Sequence, residues 1–282
     1  MRIRFTIPLR NGSTLLAGDR TLIVGVLNVT PDSFSDGGHH FDTAEAIDHA
    51  LKMQADGADI VEIGGESTRP GARALSVEEE LARILPVLTG LGNSLQVPIS
   101  IDTSKSEVAH AALDLGASII NDVSALRFDP KIADVALSAG AALVLMHMRG
   151  TPEDMQKMEP SPDIFAEVGK DFEAAIAEAE GRGVSRDRII LDPGIGFGKT
   201  QEQNLAVLNN LDRFSHFNLP LMVGTSRKSF IGRITGREAD ERAFGTAASV
   251  TVAITRGAHF VRVHDVKEMA DVVRVADAII ST

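Results

Sequence analysis

Asn28 stands where an apolar run, residues 22–27, gives way to Val29-Thr30-Pro31-Asp32-Ser33-Phe34-Ser35-Asp36-Gly37-Gly38, a stretch too rich in turn formers to continue as a strand. An apolar strand that ends in an amide and runs into a polar loop reads as a floor with a working site above it. The pattern recurs. Ile99 to Ile101 ends at Asp102, Ile119 and Ile120 end at Asn121, Ile189 to Leu191 ends at Asp192, and Phe260 to Val263 carries Arg262 and ends at His264. Asp102, Asn121 and Asp192 suit a flat heterocycle that presents several N–H groups. Arg262, His264 and Lys228, with Arg69, form a local basic cluster suited to an anion.

The elements that must position these residues alternate. Short Val, Ile and Leu runs at 21–27, 59–63, 97–101, 118–121, 141–147, 188–191, 219–224 and 259–263 read as strands. Amphipathic segments at 43–57, 77–91, 104–115, 130–139, 163–182, 202–212, 239–256 and 265–280 read as helices. About eight βα units predict an α/β fold, a (β/α)8 TIM barrel of one domain spanning 1–282, with its site at the C-terminal strand ends. Ser76 with Glu79 predicts a capping box, and Gly57, Gly116, Gly140 and Gly183 fit helix ends. Thr103 or Ser104 is expected to cap the third helix, freeing Asp102 for the mouth. Alternation puts Arg262 and His264 on one face of their strand and Val261 and Val263 on the other. Met1 to Arg20, with apolar alternation around Asn11-Gly12, predicts an N-terminal β-hairpin plugging the other end of the barrel.

Composition narrows the chemistry. The 282 residues are 44% hydrophobic and 24% charged, with no dividing linker, as expected of one substantial core. A net charge of -11 and a pI near 5.2 argue against nucleic acid or an anionic membrane as partner. Zero Cys excludes disulfides, thiol catalysis and Cys-ligated metal; no apolar run reaches membrane-span length, so a cytoplasmic enzyme is the simplest host. Without Trp or Tyr, no indole or phenol can stack on a ligand.

Some motifs fail. In residues 192–200 a P-loop would need Gly at position 193, which is Pro193, and a dinucleotide fingerprint would need Gly where Lys199 stands. What remains is a glycine-rich loop headed by a carboxylate, its glycines serving either loop geometry or a ligand. Asn121 alone fits a loop or a ligand contact equally. Arg227 and Arg69 taken singly read as solvated charges, and Met146 as core or as the wall of a planar ligand. His39 and His40 are adjacent, diverge, and have no third metal ligand at suitable spacing.

Taken together, the first loop Asn28 to Gly38, Gly64-Gly65-Glu66-Ser67-Thr68-Arg69-Pro70-Gly71, Ser100-Ile101-Asp102-Thr103, Ile120-Asn121-Asp122-Val123, Asp192-Pro193-Gly194-Ile195-Gly196-Phe197, Ser226-Arg227-Lys228-Ser229-Phe230 and Arg262-Val263-His264 closely resemble the dihydropteroate synthase family of folate biosynthesis. The match runs in order from about Leu22 to the C-terminus. It implies condensation of (7,8-dihydropterin-6-yl)methyl diphosphate with 4-aminobenzoate, giving 7,8-dihydropteroate and diphosphate. By position, Asp102, Asn121, Asp192 and Lys228 would bind the pterin. Asn28, Arg69, Arg262 and His264 would hold the diphosphate, with Mg2+ near Asn28. Phe34, Thr68, Pro70 and Ser229 would help form the 4-aminobenzoate pocket, where sulfonamides also bind in the family. Asp36 would sit in the first loop as it closes, and Met146 and Phe197 are further substrate contacts. Asp102, Lys228, Arg262 and His264 are the implied catalytic groups. The family also suggests a homodimer through the late helices.

The residues fit that chemistry. A pterin offers its 2-amino and N3 hydrogens side by side, a fork for Asp192. Departure of diphosphate puts positive charge on the pterin methylene, which Asp102 can face, and negative charge on the leaving group, which Mg2+, Arg262 and His264 can face. An arylamine is neutral near pH 7 and needs no strong base. Dissociative substitution is therefore expected, with loops 29–40 and 64–75 closing first. Three rivals stay open: a pterin-dependent methyltransferase with a corrinoid partner, which has no use for Thr68-Arg69-Pro70 or the Arg262 and His264 pair; a catalytically silent pterin-binding module; and a Schiff-base aldolase using Lys228.

Overall fold

A computed structural model describes residues 2–10, 12–30, 43–68 and 71–282. Strands β1 (Phe5–Pro8) and β2 (Thr14–Ala17) pair antiparallel ahead of eight parallel strands: β3 (Leu22–Asn28), β4 (Ile60–Gly64), β5 (Ile99–Asp102), β6 (Ile119–Asp122), β7 (Ala142–Met146), β8 (Ile189–Asp192), β9 (Met222–Gly224) and β10 (Phe260–Val263). Their order is β8-β7-β6-β5-β4-β3-β10-β9. The ring closes where Leu191 bridges Leu221, its N–H donating to the Pro220 carbonyl at 3.0 Å. Pro220 has no N–H for a ladder, which shortens β9 relative to the expected 219–224.

Side-chain alternation divides every strand into two uses. Ile23, Leu27, Val61, Ile63, Ile101, Ile120, Leu143, Leu145, Leu191, Val223, Val261 and Val263 join one apolar layer with the surrounding helices. Val24, Ile60, Ile119, Val144, Ile190, Met222 and Phe260 join a second cluster with Ile7, Leu9, Leu15 and Ala17 of the hairpin segment. That second cluster fills the lower barrel, so the hairpin does plug it. The same inward parity continued up each strand gives Glu62, Ser100, Asp102, Asn121, Met146, Asp192 and Arg262. The hairpin connection runs from Leu9 to Ser13, whose carbonyl accepts the Leu9 N–H at 2.9 Å; Asn11 lies outside the described residues.

Around the barrel lie α1 (Thr43–Ala55), α2 (Val77–Leu91), α3 (Ser106–Asp114), α4 (Lys131–Ala139), α5 (Ile164–Gly181), α6 (Gln201–Asn209), α7 (Ser229–Thr235), α8 (Ala243–Thr255) and α9 (Val266–Ile280). Ser76 and Glu79 form the expected capping box, at 3.1 and 2.9 Å. Gly57, Gly116, Gly140 and Gly183 all take positive φ at helix ends. Three expectations need correction. Neither Thr103 nor Ser104 caps α3: Asp129 reaches over from the following βα loop and accepts the Ser106 N–H at 2.8 Å, while Thr103 closes a turn onto Lys105. The helix expected at 202–212 stops at Asn209, because the Asn210 side chain donates back to the Ala206 carbonyl at 2.9 Å and the chain tightens into a 3-10 turn, Leu211–Phe217. The helix expected at 239–256 begins at Ala243 and is preceded by α7, an unforeseen short helix after β9 that ends at left-handed Gly236.

Candidate active site

The upper barrel is a sorted ring. Going round from β10, where Arg262 registers with Val24 of β3, the next strand ends at Asn28, and Asn28 registers with Gly64, which opens the loop carrying Thr68. The ring continues through Asp102 on β5, Asn121 on β6, Met146 on β7 and Asp192 on β8, and it returns through Lys228 just beyond β9. Residues assigned from the sequence to a diphosphate and those assigned to a pterin thus occupy two contiguous arcs. Phe34, Asp36, Arg69 and Pro70, with His39 and His40, lie outside the described residues.

The heterocycle arc is buried and under-bonded. Asp192 is 1% exposed; its Oδ1 accepts the Gly194 N–H at 2.8 Å, and its Oδ2 is buried without a partner. Asn121 donates to Asp102 Oδ1 at 3.2 Å, which leaves its own Oδ1 orphaned. Buried polar atoms without partners are costly, and several converging on one mouth point to a ligand that satisfies them. Burial, then the neighbouring Glu62 charge, holds the Asp102 carboxyl well above its usual range.

Glu62, which the sequence reading passed over, lies beneath this arc. It is 1% exposed on β4 and accepts from Arg262 Nη1 at 3.2 Å, with Oε2 unpartnered. Burial raises its pKa, against the pull of Arg262. Burial opposes the Arg262 charge, yet Glu62, Asp192 and Asp102 outweigh it and raise the guanidinium's pKa. The signal was present: one carboxylate inside the apolar run Ile60–Gly64, at inward parity. Gly224 makes room, since a Cβ there would meet Arg262 Nε at 3.0 Å.

On the anion arc, Ser226 Oγ accepts the His264 N–H at 3.1 Å and lies 3.0 Å from its Nδ1. With the serine hydroxyl donating to Nδ1, the Nε2–H remains for the mouth. Burial, then Arg227, lowers His264 to about 4. Arg227 itself is held away, forked onto Asp265 at 2.5 and 3.1 Å. Thr68 is half-buried on a loop pinned from below: Lys105 bonds Glu66 and, at 2.6 Å, Glu80, while Glu66 also accepts the Leu75 N–H at 2.9 Å. Ser229 is exposed as the first residue of α7.

The glycine-rich loop is built around two lysines. Lys228 donates to the Ile195 carbonyl and lies 4.0 Å from the Phe197 ring centroid. Burial, then Arg262, lowers Lys228 to about 7. Met146, fully buried, packs in a small apolar cluster with Val123, Met148, Met155 and Phe197, apart from both main cores. Gly194 has φ +65°, and any Cβ would strike the His147 carbonyl. Among the described residues no group of three His or carboxylate side chains is placed to hold a metal by itself.

Known proteins share this sequence and arrangement. A family model described as pterin binding enzyme matches residues 24–264. Dihydropteroate synthase of Synechocystis is 47% identical over 277 residues, 98% of this chain and 96% of that one. Dihydropteroate synthase of Escherichia coli is 47% identical over 259 residues, 92% of each. Among solved structures, Yersinia pestis dihydropteroate synthase in a sulfonamide drug complex superposes with TM-score 0.92 at 39% identity, covering 99% of this chain and 100% of that one. Xanthomonas albilineans dihydropteroate synthase with 4-aminobenzoic acid does so with TM-score 0.90 at 42% identity, covering 98% and 100%. With its motifs in order on an eight-stranded barrel, the chain belongs to the dihydropteroate synthase family of pterin-binding enzymes.

Proposed function

We propose that the barrel mouth binds (7,8-dihydropterin-6-yl)methyl diphosphate and 4-aminobenzoate and joins them by dissociative substitution. The observation that carries this is the orphaned, buried Oδ2 of Asp192 on β8 together with the orphaned Oδ1 of Asn121 on β6, within an arc that also holds Asp102 and Lys228. A pterin edge supplies the N–H donors that these acceptor atoms lack. In the reaction the C–O bond to diphosphate breaks, and the leaving group takes the electron pair. The arylamine nitrogen then forms a C–N bond to the methylene and loses a proton to solvent or diphosphate. Asp102 faces the developing cation; Arg262 and His264 face the leaving oxygens. Thr68 and Ser229, at the rim, line the 4-aminobenzoate side.

The donor set also fits Mg2+, a hard cation that keeps most of its waters and takes one or two protein oxygens plus substrate phosphates. Asn28, a half-buried amide beside the anion arc, would supply such an oxygen, and the ion would neutralise charge on the leaving diphosphate. Release of diphosphate measured with either substrate alone and with both separates the alternatives. Release that needs both, or a slow release from the pterin substrate alone, supports the synthase. Absence of release with both present overturns it.

A homodimer and a cytoplasmic setting complete the proposal. Leu205, Ile234 and Val252 line an apolar groove of about 580 Å³ among α6, α7 and α8, on the outer wall away from the mouth, and they are 38%, 58% and 37% exposed. A second copy of the chain is the occupant that the family suggests. Sedimentation should give a dimer that Ile234→Glu dissociates; a monomeric parent protein overturns it. Support for the cytoplasmic setting comes from the cysteine-free sequence, and no described helix is long and apolar enough to cross a membrane.

A further inference from the structure

Lys199 sits on the outer side of the glycine-rich loop, 7% exposed, opposite the mouth that Lys228 faces. Its ammonium donates to the Gly194 carbonyl at 2.9 Å and to the Phe197 carbonyl at 3.4 Å, and it lies 2.8 Å from His147 Nδ1. On the far side of that imidazole, Nε2 lies 3.3 Å from Asp171 Oδ2 on α5, a close contact without hydrogen-bond geometry, and Asp171 is partly open to solvent. Burial lowers Lys199 to about 7, with Asp192 opposing; in its ammonium form it donates to His147 Nδ1, which places the ring proton at Nε2, on the side of Asp171. Burial, then Lys199, lowers His147 to about 4, which agrees with a neutral ring in that role.

The held segment is the one that builds the heterocycle arc. Gly194 N–H satisfies Asp192 Oδ1, the Ile195 carbonyl receives Lys228, and the Phe197 ring lies under that lysine's ammonium. Asn204 secures the same loop from α6, its Oδ1 accepting the Gly196 N–H at 2.6 Å and its amide donating to the Lys199 carbonyl at 3.1 Å. Gly194, Gly196 and Gly198 all have positive φ, and no ladder bonds hold the loop. A lone buried ammonium is expensive unless its donors are used. Here they are spent on carbonyls that a mobile loop would turn to water.

We propose that Lys199 is a positioning residue for the pterin site, tying the glycine-rich loop to His147 at the end of β7 and so fixing Asp192, Lys228 and Phe197 in place. The proposal rests on the pterin reading of the mouth, but the hold on the loop is a property of the ligand-free protein. Two measurements therefore apply: hydrogen exchange of the amides at 194–198 without ligand, and calorimetric affinity for pteroic acid. Lys199→Met should raise loop exchange and the Kd for pteroic acid by about tenfold or more, as the loss of charge-assisted bonds would. His147→Leu should shift both in the same direction, and His147→Asn, whose Oδ1 can stand where Nδ1 stood, should restore both to within about twofold of the parent. A Lys199→Met protein with parental loop exchange and parental affinity overturns the proposal. If that variant does not fold, equal values for His147→Leu and His147→Asn overturn it instead. A parent protein that ignores pteroic acid defeats the pterin reading, while loop exchange still decides whether Lys199 holds the loop.

Discussion

At the scale of single residues, the mouth separates atoms that hold the fold from atoms that wait for a ligand. Asp192 does both, with Oδ1 on the Gly194 N–H and Oδ2 unpartnered. Asp192→Asn keeps the shape but offers a donor or a neutral acceptor where the pterin needs an anion. Pterin affinity should fall by about 1.5 to 3 kcal/mol, the range for hydrogen bonds to a charged group. Calorimetry giving the parental value would remove Asp192 from its role. Glu62 is structural in a different sense, because it neutralises Arg262 inside the barrel. Glu62→Ala leaves that guanidinium with its direct partner gone, and breaking a buried pair typically costs about 3 to 5 kcal/mol. Asp102 and Asp192 remain nearby, so we expect about 3 kcal/mol in urea unfolding. An unchanged midpoint would show that those two carboxylates suffice.

At the scale of elements, each strand does two jobs through alternation, and the hairpin makes this possible by closing the lower barrel. Ile7 is fully buried among inward residues of the parallel strands. Ile7→Ala should destabilise the protein by about 2 to 5 kcal/mol, while diphosphate release at saturating substrates stays within about twofold, since the cavity opens one layer below the site. A loss of turnover with stability intact would place the hairpin in the catalytic machinery. This division of labour also explains what was legible in the sequence. Asn28, Asp102, Asn121, Asp192 and His264 were readable because a polar residue ending an apolar run has few structural explanations, and Arg262 because it shares a strand face with His264. Glu62 and Lys199 were missed for the opposite reason. Glu62 lies inside its run, and its partner is 200 positions away on β10, a pairing set by barrel closure alone. Lys199 lies inside a motif that failed two nucleotide-binding patterns, and its partners are backbone carbonyls and a histidine 52 positions away, which no local side-chain pattern records. The cap on α3 escaped likewise, because Asp129 belongs to the next βα unit. Local signals located elements; contacts closed through space could not be read from them.

For the whole molecule, an acidic chain of net charge -11 must still receive an anionic substrate at one mouth. The cations that meet it are not all charged beforehand. In the empty protein His264 is lowered to about 4 and Lys228 to about 7, in each case first by burial and then by a neighbouring arginine, Arg227 for His264 and Arg262 for Lys228. A bound diphosphate opposes the arginine repulsion directly at His264 and through space at Lys228, which faces the pterin side of the mouth; it favours the protonated form of both groups, so both pKa values rise on binding. Between the free and bound pKa of each group the complex holds more protons than the free protein. Inorganic pyrophosphate should therefore bind with net proton uptake near pH 7.5, and its affinity should strengthen as pH falls from about 9 toward 7 through the Lys228 range. Below that range Lys228 is already charged when free and contributes no further pH dependence, leaving His264 alone to continue the trend toward acid pH. Titrations in two buffers of different ionisation enthalpy measure the uptake directly. Pyrophosphate is a better probe than a pterin diphosphate, because a pterin would also meet Asp102 and perturb a third titratable group. A binding enthalpy independent of buffer once pyrophosphate's own proton exchange is subtracted would mean that neither group responds to the diphosphate, and the anion arc would then reduce to Arg262 and residues of the two loops.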